Sequence, residues 1–130
     1  MSMNDMTAIT NIRLNLLAAD AGKDERYRVG KFTAWLASVG GSWHTPDLGA
    51  YRDHLLTNCA PATVAAHLST IRGQYRRLMR DNATRDALYH VAAREYADPA
   101  ARKAFVDEAI TRLENAMEPA AARVKKITHQ

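Results

Sequence analysis

The chain has 130 residues, 47% of them hydrophobic and 25% charged, with a formal net charge of +4 and a single cysteine. That length suits one domain around one core, and the composition is that of an ordinary globular protein, which excludes a disordered or fibrous chain. Cys59 alone excludes an internal disulfide and a cysteine-held zinc, and no apolar run approaches the roughly eighteen residues of a membrane span.

Apolar spacings of three and four fill nearly every stretch between the four prolines and six glycines, so the expected fold is all-α, a small bundle of five or six helices. Ile9, Ile12, Leu16 and Leu17 mark a first helix over 5–19, ended near Gly22. A second, over 23–39, sets Val29, Phe32, Leu36 and Val39 on one stripe and ends at Gly40 and Gly41, residues suited to the left-handed turn that closes helices. Thr45, Pro46 and Asp47 read as the cap, first-turn proline and first-turn acid of a third helix ending near Asn58, with Leu48, Tyr51, Leu55 and Leu56 inward. Pro61 opens a longer fourth helix reaching Arg80, with Val64, Leu68, Ile71, Tyr75 and Leu78 buried and Asn82 ending it. Thr84 and Asp98-Pro99 start two further helices, the last carrying Val106, Ile110, Leu113 and Met117 inward and closed by Pro119. Residues 1–118 thus form the domain, and the basic tail 119–130, which has no apolar face, reads as a linker.

The charge is unevenly spread. Residues 1–60 hold six basic and six acidic side chains, whereas residues 61–80 hold Arg72, Arg76, Arg77 and Arg80 and no acid. Residues 81–118 then carry five basic against eight acidic groups, and Arg123, Lys125 and Lys126 follow in the tail. A basic stretch inside a near-neutral domain fits a surface that meets phosphates, and fits a solvated helix face as well.

The outward side of the fourth helix gives that stretch a shape. At 3.6 residues per turn, Ala62, Ala66, Ser69 and Gly73 share one stripe opposite the apolar one, and Arg76 and Arg80 continue it. A helix entering a major groove about 12 Å wide needs a slim leading face, with guanidinium groups farther along to reach flanking phosphates. Thr63, His67, Thr70 and Arg77 border the stripe on one flank and Arg72 on the other. Gly73 inside a helix costs about 1 kcal/mol relative to alanine, so its presence asks for a close approach, by DNA or by a partner helix. The second helix offers a weaker face of the same kind in Lys23, Tyr27, Lys31, Ala34 and Ser38.

Val29, Phe32, Trp35 and Leu36, then Pro61-Ala62-Thr63-Val64, Leu68-Ser69-Thr70-Ile71-Arg72, Tyr75, Leu78 and Arg80, resemble the N-terminal core-binding, SAM-like domain of tyrosine recombinases and phage integrases. The likeness covers roughly residues 23–82, with Ala60 where that family often has a capping serine. It implies a helical bundle forming one half of a C-shaped clamp on double-stranded DNA, its second and fourth helices crossing the major groove. By position, Lys31 and Ser38 are implied on the second helix. Thr63 would face phosphate, Ala66, His67, Thr70 and Gly73 would lie near the bases, and Arg72, Arg76, Arg77 and Arg80 would follow the backbone. The acidic helices of residues 84–118 exceed what the family places there, and are implied to be an added C-terminal pair. The partners implied are double-stranded DNA and further recombinase subunits on it, with no membrane, a monomeric isolated domain and a cytoplasmic, nucleoid-associated location.

The family's catalytic arginines, His-x-x-Arg and nucleophilic tyrosine have no counterpart here. His90 and Arg94, followed by Tyr96, are one residue too far apart. No phosphate-cradling glycine loop, nucleophile elbow or zinc-binding helix motif occurs, and the five histidines are scattered, so neither a metal, a cofactor nor a reaction is expected. Two non-enzymatic alternatives remain at this stage: a protein-interaction module whose small-residue stripe receives a helix, and a helix-turn-helix regulator, which would carry a shorter recognition helix.

Overall fold

The structure, a computed structural model, describes residues 3–42 and 45–117. Six helices follow in order: α1 (Met3–Ala21), α2 (Lys23–Ser38), α3 (Leu48–Leu56), α4 (Pro61–Arg80), α5 (Asn82–Ala92) and α6 (Pro99–Ala116). No strand occurs among the described residues, and the fold is the all-α bundle that the spacing predicts. The tail 119–130, read as a linker, lies outside the described residues.

Helix α4 is the hub, packed against α1, α2, α3 and α5, while α6 lies on α5. Its five expected core residues, Val64, Leu68, Ile71, Tyr75 and Leu78, are all buried, as are Val106, Ile110, Leu113 and Met117 of the last helix and its C-cap. Between α2, α3 and α4 the core is aromatic: Phe32 meets Tyr51 and Tyr75 edge-on, with ring centroids 4.9 and 6.0 Å apart. Such pairs add about 0.5–1.5 kcal/mol beyond the area they bury.

Local chemistry sets the helix ends. Gly40 adopts the left-handed region at φ 65°, which lets its N–H reach Ala37 at 3.2 Å and the Gly41 N–H reach Leu36 at 2.9 Å, closing α2. Three aspartates cap α3, α5 and α6: Asp47 accepts from Ala50 N–H at 2.9 Å, Asp81 from Thr84 N–H at 3.2 Å and Asp98 from Ala100 N–H at 3.2 Å. Helix α4 has Ala60 at that position and no side-chain cap, but Pro61 removes one of the N–H groups that would need a partner.

Four expectations are corrected. In α1 the buried line is Met6, Thr10, Leu14 and Ala18, with Ile9 and Leu17 partly buried against the core, while Ile12 and Leu16 are 60% and 53% exposed. Thr10 is tolerated inside because its hydroxyl donates to the Met6 carbonyl at 3.0 Å and the Thr7 carbonyl at 2.9 Å. Val39 lies past the last turn of α2 and is 57% exposed, and Leu56, at the end of α3, also faces solvent. The α3 cap is Asp47, not Thr45. Helix α5 starts at Asn82 under the Asp81 carboxylate, so Thr84 lies inside its first turn, buried.

Candidate nucleic-acid interface

Because α4 turns its apolar stripe into the bundle, the opposite stripe faces out. Ala62, Ser69, Arg76 and Arg80 are exposed and Ala66 and Gly73 half-buried. A Cβ placed on Gly73 would meet nothing within 4 Å, so no part of the described chain accounts for a glycine there. Neither α5 nor α6 covers this stripe. The slim half, where side chains are hydrogen, methyl or hydroxymethyl, precedes the cationic half along the helix.

Arg76 and Arg80 take part in no hydrogen bond or ion pair among the described residues, and neither does Lys31, half-buried on α2. The ion pairs among those residues engage other cations: Arg13, Arg52, Arg85, Lys103 and Arg112. With no acid anywhere on α4, Arg76 and Arg80 stand one turn apart as unanswered positive charges, 5–6 Å between Cβ atoms being typical of that spacing.

The flank toward α1 and α2 is different, since two of its polar groups, Arg77 and Thr70, are already used within the protein. Arg77 is exposed, yet its Nη1 donates to the Leu17 carbonyl at 3.0 Å and to Gln74 Oε1 at 2.9 Å. The Thr70 hydroxyl accepts from Arg28 Nη1 at 3.0 Å. His67, expected beside base edges, is corrected to a seam residue: it is 5% exposed, with its ring edge-on to Tyr27 at 6.2 Å. Burial first, then the charges of Arg28 and Lys31, push the imidazole below its ordinary basicity. On the other flank Arg72 is half-buried and already engaged. Thr63 is exposed in the first turn of α4, and Ser38 is exposed at the end of α2, its hydroxyl donating to the Trp35 carbonyl at 2.7 Å.

The outward side of α2 adds an open depression lined by Lys23, Arg26, Tyr27, Gly30 and Lys31. Arg28 was missed by sequence reasoning. It sits in a charged run, Lys23 to Lys31, that holds two acids and four bases, and only the packing of α2 on α4 singles it out. Among the described residues no group of three His, Cys, Asp or Glu is placed to hold a metal ion, and no helix is long and apolar enough to cross a membrane. His90 and Arg94 are exposed, and the Tyr96 ring lies against Phe105 with centroids 5.3 Å apart.

The chain matches no family model, no curated protein and no solved structure.

Proposed function

We propose that this chain is a double-stranded-DNA-binding module, the non-catalytic core-binding half of a tyrosine recombinase or integrase. Helix α4 enters the major groove with Ala62, Ala66, Ser69 and Gly73 leading, while Arg76, Arg80 and Lys31 neutralise phosphates. The observation that carries this reading is the uncovered stripe itself: an open glycine in mid-helix followed by two unpaired arginines, on a face free of acid. Affinity then comes chiefly from counterion release at phosphates, with sequence preference from a few groove contacts by Thr63, Ala66 and Ser69. Arg77 and Thr70 exchange their internal hydrogen bonds for phosphate only if the α1 and α2 contacts rearrange, so they rank behind Arg76 and Arg80. The chain itself carries no reaction step, acts in the cytoplasm, and meets further recombinase subunits only on DNA.

An electrophoretic shift of a mixed-sequence duplex, competed with single strands of the same length, tests this. The expected result is retardation at low salt that duplex competes away better than single strand. No retardation at low salt, together with a stable dimer in sedimentation, would instead assign the small stripe to a partner helix.

A further inference from the structure

Behind the outward stripe, one turn of α4 meets α2 where several hydrogen-bond donors converge and no described carboxylate pairs with them. His67 is buried there, and its Nδ1 has no hydrogen-bond partner. From α2, Tyr27 presents its ring to the imidazole at 69°, and Arg28 is anchored on Thr70 through one nitrogen, leaving its remaining N–H groups free to donate. Lys31 lies one turn beyond Tyr27, unpaired. From α3, Tyr51 lies near Tyr27, and its own hydroxyl is buried without a partner. Helix α1 meets α4 farther along, where Arg77 reaches the Leu17 carbonyl. Among the described residues, the charged groups acting on His67 are thus two cations, Arg28 and Lys31, with no anion to balance them.

We propose that this seam is a proton-coupled phosphate subsite: Arg28 and Lys31 hold one phosphate, and His67 takes up a proton from solvent as that phosphate binds. The identification of the phosphate as one of a DNA backbone rests on the function proposed above, whereas the subsite itself rests on the seam.

The coupling follows from charge. Arg28 and Lys31 now oppose a proton on the imidazole, in the same direction as burial. An anion seated on those two cations cancels their field, so the bound state holds the proton more tightly than the free state. Phosphate affinity then rises as pH falls through the window between the free and bound His67 values. It is flat on either side, with a limit of about tenfold per pH unit.

The test is a pH titration of the His67 ring proton by NMR on the full chain, in chloride, in sulfate and with a duplex of about 20 base pairs. Sulfate is the free-anion probe because its charge does not change across the window. The expected result is a rise in the His67 pKa with both anions, and duplex affinity about 3- to 10-fold tighter at pH 5.5 than at 7.5. H67Q removes that pH dependence, and K31M, which keeps the imidazole, shrinks the rise. A duplex that binds while His67 does not move overturns the subsite and leaves the DNA reading standing. A rise with sulfate alone, without duplex binding, supports the subsite and sinks the DNA reading. No rise with sulfate together with no duplex binding overturns both.

Discussion

Arg13 of α1 donates from Nη2 to Asp81 Oδ2 at 2.6 Å, joining residues 68 positions apart, and its Nε reaches the Thr84 hydroxyl at 3.3 Å. The same carboxylate oxygen accepts from the Thr84 N–H and hydroxyl. One aspartate thus caps α5 and fixes α1 against the α4–α5 corner.

Asp81→Ala removes the cap and leaves Arg13 without its partner. A loss of about 1–2 kcal/mol is expected from the cap alone. Asp81→Asn keeps a competent cap and loses only the charge, so its loss is smaller. Urea unfolding of the two variants side by side separates the contributions. Equal losses would mean that the ion pair, not the cap, holds the corner.

The hydrogen bonds from Thr84 and Arg13 hold the Asp81 carboxyl below the usual carboxylate range. A depressed folded-state value contributes stability that is complete above the unfolded value, near pH 4, and is lost as pH falls through the folded value. Unfolding free energy followed from pH 5 downward therefore falls more steeply for the parent than for Asp81→Asn. Parallel curves would remove Asp81 from the acid response.

Gly73 has open space where a Cβ would sit and lies inside a helix, so Gly73→Ala is expected to stabilise the free protein by about 0.5–1 kcal/mol. Gly73→Leu starts from the same open Cβ position and gains helix propensity, so it is expected to remain folded. On the DNA reading it holds the helix backbone off the bases, and duplex affinity falls about tenfold, equivalent to about 1.4 kcal/mol. Thermal melting and duplex titration of the two variants check both halves. Unchanged affinity in Gly73→Leu would place the stripe outside the footprint.

Arg77 and Arg76 are sequence neighbours with opposite expectations. Arg77→Ala loses the hydrogen bonds to Leu17 and Gln74 and costs about 1 kcal/mol of stability. Arg76→Ala leaves stability within about 0.5 kcal/mol, because the side chain touches nothing that it holds in place. Chemical denaturation of the pair decides whether the two flanks of α4 are as different as their contacts imply.

Helix α4 was legible because a clean 3.6-residue period runs from Pro61 to Arg80 without a competing signal. Helix α1 was not. Its inward line uses Thr10 and Ala18, whose small size allows close packing, and leaves Ile12 and Leu16 outside while Ile9 and Leu17 pack at its edge, so counting large apolar residues found only part of the buried face. The outward stripe of the candidate site followed from that same α4 period. The flank did not: whether His67, Thr70 and Arg77 meet solvent or a neighbour depends on where α1 and α2 pack, which no periodicity within α4 encodes. Capping was ambiguous where two oxygen-bearing residues stood close together. Asp47 prevails over Thr45 because only its carboxylate reaches a free N–H of the first turn, at Ala50.

The measurement closest to the central claim is the dependence of duplex affinity on salt in the parent and in the double variant R76A/R80A. Each phosphate neutralised contributes about −0.9 to the slope of log affinity on log salt, so Arg76, Arg80 and Lys31 together give the parent a slope near −3 or steeper. The double variant should melt at the same temperature and be shallower by about two. A parent with a flat slope, or a double variant with the parent's slope, would contradict the account.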